Sequence, residues 1–165
     1  QGVKFRSYNT ATATFAEELG MIPVQVEAAE LSQALATGVA QSFISSGSTG
    51  YDRKVWEHLS HYYKVNAWLP RNYVIINKGV WEGMSADMQA GIQKAADETG
   101  AACAAKSAEL ANWYFEQLEA NGMKVADAGS EFLSELEAIG AKMTADWLAV
   151  VGADGQAILD AYNAN

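Results

Sequence analysis

The order of predicted elements in the first 44 residues indicates an α/β fold. Short stretches typical of strands cover residues 2–8, 23–26 and 39–44. Helical patterns separate these strands at residues 11–19 and 30–36. A β-α-β-α-β order implies a mainly parallel sheet covered by helices, because neighbouring parallel strands need a crossover connection. The chain has 165 residues, half of them apolar by type, which is enough for a domain with its own core.

The two short helices of this region each carry an apolar face. In the first, Phe15 and Leu19 lie four residues apart and therefore share a face, and Gly20 is a typical helix stop. In the second, Leu31 and Leu35 repeat that spacing. We expect both faces to pack on the sheet.

After the third strand the sequence changes to small polar residues. Residues 45–50 read Ser-Ser-Gly-Ser-Thr-Gly and predict a loop, because hydroxyl residues and glycine dominate them. The pattern at 54–63 predicts a helix, and the β-branched run at 73–77 predicts a strand. Pro70, just upstream, favours a sheet edge or the entrance of a strand.

The longest pattern is a helix over residues 85–120. Ser85 is a good N-cap, and Asn121-Gly122 is a strong stop. At about 1.5 Å per residue this helix would be roughly 50 Å long, so we expect it to brace more than one structural unit. The remaining patterns are a short return strand at 123–125 and helices at 131–151 and 156–162.

Composition excludes one class of partner. The chain carries 20 acidic and 11 basic residues, and its net charge of −9 argues against nucleic acid as the main partner.

No apolar run approaches the roughly 20 residues of a membrane-spanning helix. The single cysteine, Cys103, cannot form an internal disulfide, and its helical surroundings predict a small, packed apolar residue.

Arg6 is the first candidate for a binding residue. An arginine at the end of a strand is, by default, a solvated charge; alternatively, its planar guanidinium grips a carboxylate through two parallel hydrogen bonds. Position favours the second interpretation, because ligands of open α/β sheets bind beyond the carboxyl ends of the strands. Arg6 and Asn9 lie where the first strand gives way to the first helix.

The hydroxyl-rich segment 45–50 follows the third strand and would lie at the same edge of the sheet. Its hydroxyls and backbone N–H groups could bind an anion, or the segment could be a plain loop with an N-cap. A third interpretation is a serine hydrolase, because Gly47-Ser48-Thr49-Gly50 resembles part of a nucleophile elbow. Ser46 stands where that motif needs glycine, so the hydrolase is the weaker alternative.

Two histidines and a second arginine complete the polar candidates. His58 and His61 lie three apart in the predicted helix, but no third metal ligand is evident, so neither a metal nor another cofactor is expected. Arg71 follows Pro70 and is a second possible carboxylate contact. Three tryptophans are expected in a core or in the walls of a cleft: Trp56, Trp68 and Trp81.

A series of motifs follows in a characteristic order: GVKFRxxN at 2–9, GMIPV at 20–24, ELxxALxTGV at 30–39, YVIINK at 73–78 with Trp81, and SADMQ at 85–89. Together they resemble the C-terminal part of the solute-binding subunits of TRAP (tripartite ATP-independent periplasmic) transporters. The resemblance covers nearly the whole chain.

The resemblance implies a periplasmic-binding-protein-like (type II) α/β fold, two-lobed in the intact protein, with a long helix that braces both lobes. Residues 1–66 would form most of the second ligand-binding lobe, in the order βαβαβα. Residues 67–165 would supply a connecting strand, the bracing helix and C-terminal helices that return toward the first lobe. The chain would then be a partial copy, and its uncovered apolar faces favour self-association of the fragment.

The resemblance also implies a function and site residues. The family's carboxylate-binding arginine falls on Arg6, the polar position after it falls on Asn9, and a ligand position after the third strand falls on Ser45. With the neighbouring Ser46, and with Arg71 from the residues themselves, these form the expected ligand-binding set. The protein would be a binding protein rather than an enzyme. The resemblance further implies a precursor with a signal peptide and a mature protein that delivers its ligand to membrane permease subunits from the periplasm.

The sequence departs from the family where the third strand ends. Gln41 and Ser42 replace the usual acidic residue and glycine, and Ile44-Ser45 replaces a more polar pair. We therefore expect a pocket with hydroxyls and an apolar patch. Such a pocket favours a small organic carboxylate over a heavily hydroxylated sugar acid.

Overall fold

A computed structural model describes residues 2–68 and 72–164 of the chain. Five strands and seven α-helices occur in these residues. The strands are β1 (Lys4–Ser7), β2 (Ile22–Gln25), β3 (Ser42–Phe43), β4 (His61–Lys64) and β5 (Lys124–Asp127). The helices are α1 (Thr10–Glu18), α2 (Leu31–Ala36), α3 (Gly47–Asp52), α4 (Lys78–Glu82), α5 (Ala86–Ala120), α6 (Ser130–Val151) and α7 (Ala153–Asn163). Short 3-10 turns lie at Ala28–Glu30 and Val55–Glu57.

The elements group into two compact units. The first contains the described parts of residues 1–44, 61–67 and 126–165. The second contains those of residues 45–60 and 68–125. The predicted assignment of residues 1–66 and 67–165 to the two lobes of a larger protein stays a prediction.

The first unit is built on a parallel sheet of order β2-β1-β3. β1 is its central strand, and Arg6 is in register with Val24 on one side and Phe43 on the other. The predicted β-α-β-α-β order and the parallel pairing are therefore confirmed. In a parallel sheet all strands end on the same side. The carboxyl ends of β1, β2 and β3 therefore lie together, at the edge where open α/β sheets bind their ligands.

The core of the first unit lies on one face of β1. Phe5 packs against Phe15 of α1, with ring centroids 6.2 Å apart. Leu136 of α6 joins the same core, and partly buried Ile139 and Met143 extend it at helical spacing. A salt bridge of 2.7 Å between Lys142 and Glu18 also joins α6 to α1. Leu136, Ile139 and Met143 therefore share the face of α6 that packs on this core.

The second unit is held together by close packing of α3 on α5. A Cβ on Gly47 would lie only 3.1 Å from Cβ of Tyr114, so the glycine is what permits this approach. Gly50 faces Leu118, which is fully buried together with Val55. The ring of Tyr51 contacts three aromatic neighbours of the same unit: Trp56, Trp113 and Tyr114.

The long helix agrees with the sequence at both ends. The Ser85 hydroxyl accepts a hydrogen bond from Met88 N at 3.3 Å and caps α5. The helix runs unbroken through Gly100 and ends before Asn121-Gly122, where Gly122 has a φ of 93°. Cys103 is exposed rather than packed, so that prediction was wrong. That α5 braces two lobes of an intact protein stays a prediction.

The prediction of a loop at 45–50 was wrong from Gly47 onward. Residues 47–52 form α3, and Ser46 caps it by accepting a hydrogen bond from Thr49 N at 3.3 Å. The glycines that suggested a loop are needed for the contact with α5. Packing of the helix therefore overrides the low helix propensity of these residues.

The predicted helix at 54–63 was also wrong. Lys54 has a left-handed φ of 48° just after α3, and only the 3-10 turn at 55–57 follows. His61–Lys64 forms β4, which pairs with β5 in a two-stranded sheet. His61 therefore lies in a strand, whereas His58 follows the 3-10 turn, and the two histidines do not share a helix face.

The predicted strand at 73–77 was wrong as well. Residues 72–77 belong to no strand, and the exposed fractions of Val74 and Ile75 are 100% and 88%. β-branched residues form a strand only where a neighbouring strand supplies hydrogen bonds. The sequence missed α4 directly after this run, although Asn77 caps it through a hydrogen bond from Val80 N. The three tryptophans are half-buried rather than core residues.

Candidate functional site

Arg6 lies at the carboxyl end of the central strand, and only 3% of its surface is exposed. Its Nε donates a hydrogen bond of 2.8 Å to the backbone carbonyl of Val26. Val26 is fixed in turn, because its N–H donates to the carbonyl of Ser7 at 3.1 Å. Arg6 is therefore not the solvated charge that its local sequence suggested as the default.

The electrostatics of Arg6 are those of a buried cation. Among the residues that the structure describes, no carboxylate lies within salt-bridge distance of its guanidinium. Burial lowers the pKa of Arg6 from its usual value, and the attraction of Tyr8 and Glu27 partly offsets that effect. Arginine keeps its proton despite such shifts, so a positive charge remains at the sheet edge.

The hydrogen bond from Nε determines how Arg6 could hold a ligand. A guanidinium can grip a carboxylate along the side that contains Nε or at the end formed by its two Nη atoms. The Val26 carbonyl occupies the side with Nε. The end of the fork, with both Nη atoms, is therefore the part of Arg6 suited to a carboxylate.

Asn9 caps helix α1. Its Oδ1 accepts hydrogen bonds from Thr12 N at 2.8 Å and from Thr12 Oγ1 at 2.9 Å. The Thr12 hydroxyl in turn accepts from Asn9 N, which completes a capping box. The side-chain oxygen of Asn9 thus has a structural role, and its amide nitrogen is the group that could donate to a ligand. Its role as a ligand contact stays a prediction.

The predicted serines lie in the second unit. Ser45 is half-buried and precedes Ser46, which caps α3. The Ser46 hydroxyl also lies 2.7 Å from that of Ser48 and 3.2 Å from that of Thr49. Ser45 and Ser46 stay predictions as ligand contacts, and Arg71 lies outside the described residues.

The hydroxyl of Ser48 shows no nucleophile geometry. Its hydrogen bond goes to the Ser46 hydroxyl, and Ser48 lies inside α3 rather than on a sharp turn between a strand and a helix. A nucleophilic serine needs a base within hydrogen-bond reach. The arrangement does not favour the hydrolase alternative.

Two absences hold for the part of the chain that the structure describes. Residues 2–68 and 72–164 contain no group of three or more His, Cys, Asp or Glu side chains placed to hold a metal ion. Within the same ranges, no helix combines the length and the hydropathy needed to cross a bilayer.

Sequence reasoning missed the residues that support Arg6. The ring of Tyr8 lies over the guanidinium, with its centroid 5.0 Å from Cζ. The spacing of Tyr8, two residues after Arg6, would place both on one face of an extended chain and could have indicated the contact. No residue type at position 26 could have indicated the hydrogen bond from Arg6, because its acceptor is a backbone carbonyl that every residue has.

Comparisons with known proteins are consistent with this architecture. The model of the family "Bacterial extracellular solute-binding protein, family 7" (DctP) matches residues 1–149. The C4-dicarboxylate-binding periplasmic protein DctP of Rhodobacter capsulatus is 30% identical over 121 residues, which are 73% of this chain and 34% of that protein.

Two solved structures resemble the whole chain. A TRAP solute-binding protein from a marine metagenome, specific for pyroglutamate and in complex with it, is 83% identical with a TM-score of 0.96. An extracytoplasmic solute receptor from Bordetella pertussis that binds pyroglutamic acid is 42% identical with a TM-score of 0.97. This chain is covered completely in both, but it spans only 54% and 55% of theirs.

These matches confirm the periplasmic-binding-protein-like α/β fold class that the sequence predicted, and they agree with a partial copy. The matching proteins are solute-binding receptors and not enzymes, which removes the remaining support for a hydrolase at Ser48. The family match covers most of the chain and includes Arg6 and the strands around it. The chain therefore belongs to the DctP family of bacterial extracellular solute-binding proteins, which serve TRAP transporters.

Proposed function

We propose that the intact protein captures a small organic acid through Arg6 and delivers it, from the periplasm, to the membrane permease subunits of its transporter. The observation that carries this proposal is the buried guanidinium without a carboxylate partner among the described residues. An isolated charge is costly to bury, so a site that retains one is suited to a ligand of opposite charge.

Pyroglutamate is the first candidate for that ligand. The marine protein whose structure holds it is 83% identical to this chain, whereas the C4-dicarboxylate-binding relative is 30% identical over a shorter region. Pyroglutamate carries one carboxylate and a compact ring with an amide. These features fit one arginine fork and the hydroxyl and apolar lining that the sequence predicts.

Four further residues are proposed as ligand contacts on weaker grounds. The side-chain oxygen of Asn9 caps α1, so its amide nitrogen is the group that would donate a hydrogen bond to the ligand. Ser45 and Ser46 are proposed from their position after β3 and from the resemblance, and Arg71 from its charge alone. Alanine substitution of Asn9, Ser45 or Ser46 should weaken binding less than substitution of Arg6, because none of these three side chains carries a charge.

The test is calorimetric titration of the intact protein with pyroglutamate and, separately, with succinate. We expect binding of pyroglutamate to exceed that of succinate. Arg6→Ala should lose about 2–5 kcal/mol of binding free energy, the usual cost when one partner of a buried charge-assisted contact is removed. Arg6→Lys should also bind poorly, because an ammonium group cannot replace the two parallel hydrogen bonds.

Arg53→Ala is the matched control, since it removes an exposed arginine from the same chain. It should bind like the wild type. Wild-type affinity in Arg6→Ala would contradict the assignment of Arg6, and stronger binding of succinate would contradict the choice of pyroglutamate.

A further inference from the structure

The guanidinium of Arg6 is restrained on two different sides. The Val26 carbonyl accepts a hydrogen bond from Nε in the plane of the group, at 2.8 Å. The Tyr8 ring lies over the group, 5.0 Å from Cζ to the ring centroid. An arginine side chain has several rotatable bonds, so restraints in two directions leave it little freedom before a ligand arrives.

Tyr8 itself is held by the turn that follows β1. Its backbone N–H donates to the Thr12 hydroxyl at 3.1 Å. The same hydroxyl accepts from Asn9 N at 3.2 Å and contacts Asn9 Oδ1 at 2.9 Å. Thr12 is fully buried, so this centre is rigid and fixes the backbone from which the Tyr8 ring extends.

We infer that Tyr8 is a positioning residue for Arg6: its ring holds the guanidinium so that the two Nη atoms are presented, already aligned, to the carboxylate of the ligand. The inference rests on the proposed function, in which Arg6 binds that carboxylate. Tyr8 acts on the affinity through Arg6 and not through its own hydroxyl.

The physical basis is the interaction of a cation with the negative face of an aromatic ring. Such a contact is worth more when it is shielded from water, as it is beside the buried Arg6. The ring also replaces water on one face of the guanidinium. Because the Val26 carbonyl occupies the Nε side, the ring and the carbonyl together favour approach of the carboxylate at the Nη end.

Substitutions at position 8 test the inference in the intact protein, with pyroglutamate as the ligand. Tyr8→Phe keeps the ring and should bind within about twofold of the wild type, whereas Tyr8→Leu should bind about five- to thirtyfold more weakly. Tyr162→Leu, which replaces an exposed tyrosine of α7, is the matched control and should bind like the wild type.

A fluorinated series separates positioning from packing. Mono-, di- and trifluorinated phenylalanine at position 8 keep the shape of the ring but withdraw electron density from its face. A cation–ring contact predicts an affinity that falls with each added fluorine, by about three- to tenfold over the series. Equal affinities across the series would overturn the inference, and so would a large loss in Tyr8→Phe.

A ligand-free measurement distinguishes failure of the inference from failure of the proposed function. The Nε–H of Arg6 is bonded to Val26 and should exchange slowly with solvent in NMR spectra; in Tyr8→Leu the exchange should be at least several-fold faster. If pyroglutamate does not bind but exchange accelerates, the proposed ligand is wrong and Tyr8 still positions Arg6. If pyroglutamate binds and exchange is unchanged in Tyr8→Leu, the positioning role is wrong.

Discussion

Replacing Thr12 with valine should destabilise the protein far more than its conservative shape suggests. The two side chains are nearly isosteric, but valine lacks the hydroxyl. In the structure this hydroxyl accepts hydrogen bonds from the N–H groups of Tyr8 and Asn9, at 3.1 and 3.2 Å, and contacts Asn9 Oδ1 at 2.9 Å. Thr12 is 0% exposed, so a valine methyl group, and not water, would occupy the place of the hydroxyl.

The magnitude follows from the two N–H donors that would lose their acceptor. Leaving a buried donor unsatisfied costs about 1–3 kcal/mol. Here Tyr8 is half-buried and Asn9 is exposed, so water can satisfy part of the loss. Asn9 also still caps Thr12 N. We therefore expect Thr12→Val to lower the free energy of unfolding by about 2 kcal/mol.

Urea unfolding of the intact protein measures this change, as a lower midpoint at unchanged slope. Thr14→Val is the matched control, because the Thr14 hydroxyl donates a single bond to its own helix, to Thr10 O at 3.2 Å. That variant should stay within about 0.5 kcal/mol of the wild type. Equal unfolding free energies for Thr12→Val and Thr14→Val would refute the view that Thr12 organises the turn.

Other predictions concern packing and pH. Gly50→Ala should be tolerated, since its Cβ would meet Leu118 at 3.4 Å, whereas Gly50→Leu should destabilise by about 1–3 kcal/mol in an urea titration. Leu118→Ala should cost about 2–5 kcal/mol and the exposed Val150→Ala less than about 0.5 in the same assay. Burial raises the pKa of Tyr62 in the folded protein above its usual 10.0. Its contribution to stability is therefore fully present below pH 10.0 and is lost as the pH rises through the pKa of the folded state. Tyr62→Phe should therefore lose less stability above pH 10 in alkaline unfolding.

The sequence predicted the strands and helices of residues 1–44 well because the signals there are local. Strands β1 and β2, the helices between the strands and the stop at Gly20 each depend on residues close in the chain. The N-H of Met21 donates to Ala16 O at 2.8 Å around Gly20, whose φ is 68°. This is the geometry for which glycine is preferred after a helix, so the pattern and the structure share one cause.

Long-range packing explains the errors. Whether residues 61–64 become a helix or a strand depends on β5, some sixty residues later in the chain, and local spacing does not report that pairing. Residues 73–77 are the opposite case. Their residue types favour a strand, but no strand among the described residues pairs with them, so they do not form one. Gly47 and Gly50 were misread as loop signals because α5, against which they pack, is also remote in sequence.

The sequence predicted that Arg6 lies at the end of β1, but it could not predict the contacts of its side chain. The end of β1 identified Arg6, yet its burial and its bond to Val26 depend on how β2 lies beside β1. Asn9 stays a predicted ligand contact, and the structure adds that its side-chain oxygen closes a capping box. A residue type at a strand end thus indicates a chemistry, and the surrounding backbone decides which of its atoms remain for a ligand.

The bond from Arg6 to Val26 bears on how ligand preference could diversify in evolution. Because the acceptor is a main-chain carbonyl, most side chains at position 26 would leave it in place. The segment that follows Val26 leads into the 3-10 turn at Ala28–Glu30, so an insertion or deletion there is the change expected to shift this carbonyl and, with it, the guanidinium. If Arg6 binds the ligand as we propose, the length of this segment is a variable to compare, beside residue identity, when closely related receptors differ in the acids they accept.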